Sequence, residues 1–402
     1  MKTLSNFSIN GKNVLLRVDL NVPTIKGLVS DESKILAIKS TVDELRSKKN
    51  KIFLLTHFGR PKGHNNKYSV KFLKEFIIKI LTLEKIFFSY ECFGEEVIKQ
   101  KKLMSPGDVC LLENIRFYDE EKKNDINFAK LLAKEYDIYI NDAFSASHRE
   151  HASIVSITKY LPSLAGNNFI DEIENLNKFL KNPKRPSTVI IGGSKVSTKL
   201  KLLDNLIEIF DTILIGGSMA NTFLLSQGYN LGKSLLEEDM INEVKNILEK
   251  SKNCNKNIVL PTDLVCTENI DDNENIKIVE IKNILSNQIA LDIGDKTIKS
   301  FKTFMTKSNT ILWNGPLGAF ENSPFDHATN EIAEFIKNEA QNLKIDTFAG
   351  GGDTLAALKK TNSIKYFTYV SNSGGALLQW LEGNDSPGFS ALRNNYLTES
   401  SI

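Results

Sequence analysis

Of the 51 basic residues in this chain only seven are arginines, so the positions that use arginine are informative. Four of them stand at expected strand ends or turns, in RVDLNVP, THFGRP, ENIRF and NDAFSASHREH, as Arg17, Arg60, Arg116 and Arg149. A guanidinium presents a planar pair of donors that suits phosphate or carboxylate. Together with His57 and His148, these arginines predict a basic pocket for a small ligand with several negative charges.

Two further polar residues accompany the first arginine. Asp19 and Asn21 lie two apart on the extended RVDLNVP segment, where we expect them to bond a ligand hydroxyl and to keep Arg17 oriented. The alternative is that the arginines merely form ion pairs with Asp19, Glu113 and Asp142. Each arginine alone fits either interpretation about equally, but the four together favour the pocket.

Glycine-rich turns in the second half predict a different anion site. Four segments read as a strand, a glycine turn and a helix: TVIIGGSKVSTKL, TILIGGSMANTFL, FAGGGDTLAAL and YVSNSGGALLQWL. In a parallel sheet such turns share the carboxyl edge, where glycine lets the backbone approach a ligand and helix N-termini attract phosphate. We therefore expect a nucleotide or polyphosphate site there.

Three other patterns are poor matches to known sites. GYNLGKS has one residue too few between its glycines for a P-loop, and none of the glycine turns forms the dinucleotide pattern GxGxxG with a following acidic residue. His148 and His151 have metal-ligand spacing, but Arg149 between them would repel a cation. We expect no resident metal cluster at these histidines.

The elements that must position these residues alternate between short apolar strands and amphipathic helices. This order is typical of an α/β protein with mainly parallel sheets. The predicted strands are NVLLRV, KIFLLTHF, KIFFSY, DVCLLE and DIYIND in the first half, and TVIIGG, TILIGG, NIVLPTD, TILWNG, DTFAGG and YFTYVS in the second.

The 402 residues exceed what one core usually serves, and FIDEIENLNKFLKNPKRP reads as a connecting amphipathic helix between two domains. We predict an N-terminal domain over 1–166, an interdomain helix over 167–184 and a C-terminal domain over 185–382. The segment 383–402 is expected to pack back on the first domain.

Charge and composition exclude several classes of protein. The net charge of +2 is too small to hold nucleic acid or an anionic membrane by bulk electrostatics. Four scattered cysteines indicate reduced thiols rather than a disulfide scaffold. We expect neither a leader nor a membrane span, because MKTLSNFSING has no apolar run of leader length and no later apolar run is long enough to cross a membrane. A cytoplasmic enzyme is the expectation.

Ten segments together resemble the phosphoglycerate kinase family and cover nearly the whole chain in that family's order. They are RVDLNVP, THFGRP, LLENIRF, NDAFSASHREHAS, NPKRP, IIGGSKVSTK, GGSMANTFL, DIGDKT, WNGPLGAFE and GGGDTLAAL. The resemblance implies two Rossmann-like three-layer lobes with parallel sheets, joined by a hinge helix. It also implies reversible transfer of a phosphoryl group from 1,3-bisphosphoglycerate to Mg-ADP, giving 3-phosphoglycerate and ATP, by a monomeric glycolytic enzyme that works through hinge closure.

The resemblance assigns roles by motif, with Mg²⁺ as cofactor alongside ATP or ADP. Residues implied to hold phosphoglycerate are Asp19, Asn21, Lys34, His57, Arg60, Arg116, His148 and Arg149. Residues implied to hold the nucleotide are Lys195, Lys199, Gly216, Gly217, Gly294, Asn314, Pro316, Glu321, Gly351, Gly352, Asp353 and Thr354, with Asp353 as the metal ligand. Those implied in catalysis are Lys34, Lys195, Lys199, Gly374 and Gly375.

Some positions depart from the family pattern. Lys34 replaces an arginine expected to reach the transferring phosphate, and we predict that it is a working substitute at the start of a helix with Ile35, Ile38 and Val42 on its buried face. The other departures are Ser218, Asp295, Asn372, Ser373 and Asn384. The competing hypothesis is a catalytically weak phospholigand-binding protein that keeps the fold.

Overall fold

The computed structural model describes residues 1–25, 27–270 and 275–397, and it divides into two compact units. Unit 1 comprises Met1–Glu174 and the returning chain from Asp385, and unit 2 comprises Asn175–Asn384. Each unit is built around its own parallel sheet. The α/β class predicted from the alternating pattern is confirmed.

The sheet of unit 1 has six parallel strands in the order β5-β6-β4-β1-β7-β8. Their residues are almost all buried, as expected for a sheet covered on both faces. The strands of unit 1 are β1 Asn13–Arg17, β2 Thr24–Ile25, β3 Leu28–Val29, β4 Lys51–Leu55, β5 Phe87–Ser89, β6 Val109–Leu112, β7 Ile138–Asn141 and β8 Ser163–Ala165. Here β2 and β3 form a separate antiparallel hairpin.

Helices of unit 1 lie between these strands and contribute apolar side chains to its core. Ile35, Ile38 and Val42 are buried as predicted. The α-helices are α1 Ser33–Ala37, α2 Lys39–Ser47, α3 Lys74–Leu81, α4 Glu95–Leu103, α5 Asp119–Lys122 and α6 Ile126–Ala133. Single 3₁₀ turns cover Asn66–Tyr68, Val70–Leu73, Ile115–Phe117, Phe144–Ala146 and Ser156–Lys159.

The predicted connecting helix is α7, Asn167–Leu180, and the division between the units falls within it, after Glu174. It ends before the two prolines of NPKRP, Pro183 and Pro186. Proline lacks the backbone N–H that a continuing helix needs. The helical stretch is therefore shorter than the range 167–184 predicted for the connector.

The sheet of unit 2 has six parallel strands in the order β11-β10-β9-β15-β16-β17. Counted along the chain, this order is 3-2-1-4-5-6, the doubly wound arrangement whose order reverses between the first and fourth strands. The strands are β9 Ser187–Ile191, β10 Thr212–Ile215, β11 Asn257–Val259, β15 Thr310–Asn314, β16 Asp346–Gly350 and β17 Tyr369–Ser371.

Unit 2 also contains a three-stranded antiparallel sheet that the sequence did not predict, in the order β13-β12-β14. Its strands are β12 Asp263–Thr267, β13 Lys277–Glu280 and β14 Ile289–Ile293. The predicted strand NIVLPTD is accordingly wrong as one element, because β11 ends before Pro261 and β12 begins after it.

Helices of unit 2 cover its sheets. They are α8 Leu200–Ile209, α9 Met219–Ser226, α10 Ile241–Asn253, α11 Asp295–Thr306, α12 His327–Glu339, α13 Gly352–Lys360 and α14 Gly374–Leu381. The 3₁₀ turns are Glu238–Met240, Ile281–Asn283 and Ile364–Tyr366. None of the helices in the described ranges is long and apolar enough to span a membrane.

The chain returns to unit 1 after Asn384 and forms α15, Pro387–Arg393. The backbone N–H of Gly388 donates to the carbonyl of Ser147 at 2.9 Å. The side chain of Asn395 accepts from the N–H of Ser163 at 3.0 Å and donates to the carbonyl of Thr158 at 2.6 Å. These bonds place the described part of the returning segment against the loops around β8.

Candidate active-site residues of the two units

The cationic side chains of unit 1 converge beyond the carboxyl ends of its strands. A cavity of about 410 Å³ is lined by Arg60, Arg116, Lys122, Arg149 and His151. Arg60 follows β4, Arg116 lies in the turn after β6, and Arg149 follows β7. The structure thus brings together three of the four arginines that the sequence assigns to one pocket.

Polar side chains inside the loops fix where these cations lie. Asn114 donates to the carbonyl of Phe58 at 2.8 Å and accepts from its N–H at 3.1 Å, which ties the loops after β4 and β6 together. Thr56 accepts from the N–H of Leu20 at 2.9 Å and so joins the loops after β1 and β4. A guanidinium nitrogen of Arg116 donates to the carbonyl of Gly59 at 2.5 Å.

A continuous series of contacts joins Arg149, which lines this cavity, to His57, His148 and Arg17. Nη2 of Arg17 lies 3.2 Å from Nδ1 of His57, and Nη1 of Arg149 lies 3.5 Å from Nε2 of the same ring. Nε of Arg149 then donates to Nε2 of His148 at 3.2 Å, and Nδ1 of His148 lies 2.9 Å from the carbonyl of Ser145. The predicted histidines are therefore in direct contact with the arginines.

Electrostatics keep the histidines neutral and the pocket positive. Burial and the adjacent Arg17 hold the pKa of His57 well below its ordinary value. Burial and Arg149 likewise lower the pKa of His148. Burial and the neighbouring Arg149 and Arg17 lower the pKa of Arg116 to about 10, which leaves it charged at neutral pH. The series of contacts thus combines guanidinium charges with the uncharged imidazoles of His57 and His148.

Asp19, Asn21 and Lys34 form a second cluster in unit 1. Nζ of Lys34 lies 2.7 Å from Oδ2 of Asp19 and donates to the carbonyl of Asn21 at 3.2 Å. Burial opposes ionisation of Asp19, but the ammonium of Lys34 and the hydrogen bond from Ser145 outweigh it, so the pKa of Asp19 lies well below its usual range. Asn21 accepts from the N–H of Gly59 at 2.9 Å.

The expected partners of Arg17 are wrong. Neither Asp19 nor Asn21 orients it; Nε of Arg17 donates to the hydroxyl of Ser153 at 3.0 Å and Nη1 donates to the carbonyl of Val18 at 2.5 Å. The alternative of simple ion pairs is also not observed, because Glu113 accepts from Ser69 and Val70 instead. Within the described ranges no carboxylate forms an ion pair with these four arginines.

Sequence reasoning missed several residues of this site. Lys122 lines the cavity, Ser145 donates to the carboxylate of Asp19, and Ser153 contacts Arg17. Ser145 and Ser153 stand within or beside the motif NDAFSASHREH, but serine spacing alone carries no signal for such contacts. Glu121 accepts a hydrogen bond from Ser153, but it lies in the charged segment DEEKK, whose sequence is typical of a solvent-exposed surface.

In unit 2 the glycine turns lie along one sheet edge. The turns after β9, β10, β16 and β17 all follow parallel strands of the same sheet, as predicted. The strand order reverses between β9 and β15, which is where ligands bind in doubly wound sheets. Lys199 and Asn314 meet at this point, since the ammonium of Lys199 donates to the side-chain oxygen of Asn314.

Two further bonds brace this edge. Asn314 donates its amide N–H to the carbonyl of Gly350 at 2.8 Å, across β15 and β16. The hydroxyl of Thr354 accepts from the N–H of Gly315 at 2.7 Å, so Thr354 holds the loop after β15 against the first turn of α13. These contacts fix the helix N-terminus that the sequence assigns to phosphate binding.

Two glycines at this edge are required by the backbone. Gly217 has φ of +67°, and a Cβ there would lie 2.6 Å from the backbone nitrogen of Gly193. Gly351 has φ of +105°, and a Cβ there would lie 2.9 Å from the amide nitrogen of Asn314. An L side chain at either position would strain the turn and fill space beside the helix start.

Lys199 and Asp353 supply the charges of this site. Burial lowers the pKa of Lys199 to about 8, against the opposing effect of the nearby Asp353 carboxylate. Asp353 is exposed in the first turn of α13. No cluster of three or more His, Cys, Asp or Glu that would hold a metal ion is present in the described ranges. A single exposed carboxylate fits Mg²⁺ that is shared with nucleotide phosphates, because Mg²⁺ is usually bound in that way.

The remaining predicted nucleotide residues are spread along the same unit. Lys195 and Glu321 are exposed on loops, after β9 and β15 respectively. Gly294 is buried at the end of β14, and Pro316 is buried with its carbonyl facing Gly192 and Gly217. Among the predicted nucleotide residues, Asn314 is the one whose side chain bonds Lys199.

The predicted catalytic residues Gly374 and Gly375 lie at a helix start. The departures from the family pattern also lie at helix starts and turns. Gly216 directly follows β10, and Gly374 and Gly375 open α14. Ser218 precedes α9 and Ser373 precedes α14, while Asp295 is the first residue of α11 and lies 3.2 Å from Nε2 of His327. Asn372 and Asn384 follow β17 and α14.

Comparisons with known proteins agree with this architecture. The family model described as Phosphoglycerate kinase matches residues 4–384. A phosphoglycerate kinase of Rhizobium meliloti is 44% identical over 98% of this chain and 98% of its own, and one of Borreliella burgdorferi is 42% identical over 98% and 100%.

Solved structures give the same result. The structure of phosphoglycerate kinase from Coxiella burnetii superposes with a TM-score of 0.87 at 33% identity, covering 97% of this chain and 98% of that one. The enzyme of Pyrococcus horikoshii gives a TM-score of 0.81 at 28% identity over 100% of both chains. Because the family model and these relatives cover nearly the whole chain, the chain belongs to the phosphoglycerate kinase family.

Proposed function

We propose that unit 1 binds the phosphoglycerate substrate and unit 2 binds the nucleotide of a phosphoglycerate kinase reaction. In that reaction a phosphoryl group moves directly from the acyl phosphate of 1,3-bisphosphoglycerate to the β-phosphate of ADP, giving 3-phosphoglycerate and ATP. The observation that carries the proposal is the convergence of Arg60, Arg116 and Arg149 on one cavity of about 410 Å³. Such a cluster suits a small ligand with phosphate and carboxylate groups.

The side chains of unit 1 have distinct parts in this proposal. Arg60, Arg116 and Arg149 neutralise the substrate's phosphate and carboxylate, while His57 donates from an uncharged ring. Asp19 and Asn21 hold the hydroxyl side of the substrate. Lys34, 2.7 Å from Asp19 before substrate binds, supplies the cation for the transferring phosphoryl group. A lysine gives the same unit charge as arginine without its rigid fork.

The residues of unit 2 hold the nucleotide phosphates. Lys199 and Lys195 neutralise phosphate oxygens, and the free N–H groups at the start of α13 bond them. Asp353 is the protein ligand for Mg²⁺, which when bound spreads positive charge over the phosphates. Gly374 and Gly375 at the start of α14 offer further N–H groups to the group in transfer.

No covalent intermediate or acid–base step is needed for this transfer. Catalysis consists of positioning two substrates, neutralising charge and excluding water. Because transfer is direct, the two substrates must come together, and we propose closure of the two units about α7 for that step. Small-angle scattering should then give a smaller radius of gyration with both substrates than with either alone.

The test of the function is a coupled assay. Purified protein with 3-phosphoglycerate and Mg-ATP is followed by NADH oxidation through glyceraldehyde-3-phosphate dehydrogenase. Turnover that saturates with both substrates supports the proposal. Tight binding of either ligand by calorimetry with no turnover would instead support the phospholigand-binding alternative, which the family assignment does not favour.

The working form proposed from the sequence is a cytoplasmic monomer that binds small molecules and neither nucleic acid nor membrane. The enzyme acts as a phosphotransferase with a carboxyl group as acceptor. Sedimentation of the purified protein tests the monomer, since a dimer at micromolar concentration would contradict it.

A further inference from the structure

Glu121 is a fully buried carboxylate of unit 1 that none of the roles above uses. Oε1 accepts from the hydroxyl of Ser153 at 2.7 Å, and Oε2 accepts from the N–H of Ser153 at 2.8 Å. Nδ1 of His151 lies 3.4 Å from Oε1. A buried carboxylate is costly unless its neighbours compensate it. Ser153 and His151 compensate the carboxylate of Glu121 in this way. The adjacent Glu120 is exposed to solvent and needs no such partners.

Ser153 connects this carboxylate to Arg17. Because its hydroxyl hydrogen goes to Glu121, the oxygen is left to accept from Nε of Arg17 at 3.0 Å. Arg17 is 1% exposed and so carries a buried charge. Burial opposes ionisation of Glu121, but His151 and Arg17 hold its pKa below the ordinary value. Glu121 is thus the negative charge that balances the buried guanidinium.

Arg17 in turn determines which nitrogen of His57 carries hydrogen. A guanidinium only donates, so Nδ1 of His57, 3.2 Å from Nη2 of Arg17, must accept. A neutral imidazole accepts at one nitrogen, which leaves the hydrogen on Nε2. The charged groups that face the ring are Arg17, Asp19, Arg116 and Arg149.

The opposite side of the ring then has two donors facing each other. Nε2 of His57 and Nη1 of Arg149 lie 3.5 Å apart, and neither can accept from the other in this tautomer. An anionic oxygen placed beside both would accept from both. This arrangement prepares the ring for a phosphate or carboxylate oxygen that binds beside Arg149, which lines the basic cavity.

We propose that Glu121 is a positioning residue of the phosphoglycerate site, which acts through Ser153 and Arg17 to hold His57 with its Nε2 hydrogen directed at the substrate. The inference rests on the proposed function of unit 1. Glu121 itself touches no substrate, and its effect passes through three hydrogen bonds.

The first test needs no turnover. Histidine ¹⁵N spectra of the ligand-free protein separate the two neutral tautomers, and the chain has only five histidines. The ¹⁵N signals of His57 are identified as those that disappear from the spectrum of His57→Gln. We expect His57 as the Nε2–H tautomer in the parent and as a mixture in Glu121→Gln. The matched control Glu120→Gln removes the same charge one residue away and should leave the spectrum unchanged. An unaltered His57 in Glu121→Gln would overturn the proposal.

The second test separates positioning from folding and from bulk charge. Glu121→Gln should raise the KM for the phosphoglycerate substrate roughly tenfold while the nucleotide KM stays constant. Reduced kcat with both KM values unchanged would indicate only a loss of folded enzyme. A lower KM for phosphoglycerate would mean that net charge, not geometry, was altered. Either result would overturn the proposal.

Ser153→Ala provides an independent variant in case Glu121→Gln does not fold. It keeps the carboxylate but removes the hydroxyl between Glu121 and Arg17, so it should raise the same KM and disturb the same tautomer. The double variant should be no worse than the more severe single one, because both changes break one series of bonds. If the KM effects of the two substitutions were additive, Glu121 and Ser153 would not act through the same series of hydrogen bonds. If the parent shows no turnover, the proposed function fails, and the spectra still decide the role of Glu121.

Discussion

We propose that the two units bind anions by different means. Unit 1 uses side chains, with Arg116 and His57 buried and braced by further polar groups. Unit 2 uses mostly main chain, at glycine turns and helix starts, with Lys199 as the half-buried cation. Because hydrogen-bond networks hold the charged side chains of unit 1, anion binding there should weaken when a polar partner is removed. Only a substitution to proline removes a main-chain N–H donor. Most substitutions therefore leave these donors in place, and unit 2 should be sensitive mainly to the loss of single charges and to changes in glycine geometry.

The largest effect is expected at the one carboxylate proposed to hold metal in unit 2. Asp353→Asn should lower kcat by about 100-fold or more, because metal charge stabilisation supplies several kcal/mol. Binding of 3-phosphoglycerate, measured by calorimetry, should be nearly unchanged because Asp353 belongs to the other unit. Asp239→Asn, an exposed carboxylate of unit 2, is the control. Retention of more than about half the parent rate at saturating Mg²⁺ would contradict the assignment.

A comparable loss is expected in unit 1 when the lysine that replaces the family arginine is removed. Lys34→Ala should lower kcat by roughly 100-fold with little change in nucleotide KM, since a contact made mainly in the transition state affects kcat. Lys34→Arg, which restores the residue usual in the family, should retain or raise the rate. Lys79→Ala, at a lysine whose side chain is 75% exposed, is the control. A Lys34→Ala rate within about threefold of the parent would show that Lys34 is only a surface lysine.

A smaller effect should follow from a single methyl group in the main-chain site. Gly351→Ala adds a Cβ at φ of +105° and 2.9 Å from the Asn314 amide, which is a strained conformation. We expect the nucleotide KM to rise about tenfold, with the KM for phosphoglycerate unchanged. Gly352→Ala, where a Cβ meets nothing within 4 Å, should have a weaker effect. Equal effects of the two variants would mean that the backbone geometry is unimportant.

The smallest expected effect is a difference in pH dependence between the units. The pKa of Lys199 is lowered to about 8, and lysine is charged only below its pKa, so its attraction for phosphate is lost as pH rises through 8. The nucleotide KM should rise several-fold between about pH 7 and 9, while the KM for phosphoglycerate changes less because the pKa of Arg116 is about 10. Lys199→Arg should flatten the nucleotide profile. A flat profile in the parent would refute the titration of Lys199.

The sequence predicted the strands and the glycine turns because both depend on local pattern. Buried parallel strands such as β4 and β9 are continuous apolar runs, and each turn follows directly from its strand. It did not predict β8, whose three residues Ser-Leu-Ala contain only one large apolar side chain, or the antiparallel sheet, whose strand β13 is largely exposed.

Residue types for the proposed site could be chosen from the sequence, but the contacts of those residues could not. Arginine scarcity pointed to Arg17, yet its true partner Ser153 is 136 positions away, and nothing local to RVDLNVP indicates it. Contacts at such separation depend on which loops the sheet order brings together. Asp19 was expected to orient Arg17, but its ion-pair partner is Lys34.

The returning segment around α15 also bears on the order in which the protein can be completed during synthesis. Translation delivers Asn175–Asn384, all of unit 2, before Gly388 and Asn395 leave the ribosome. Until then the carbonyls of Thr158 and Ser147 lack the partners that they have in the finished protein. Unit 1 is therefore synthesised first but completed last, because it needs the returning segment. Unit 2 can fold from a contiguous stretch of chain.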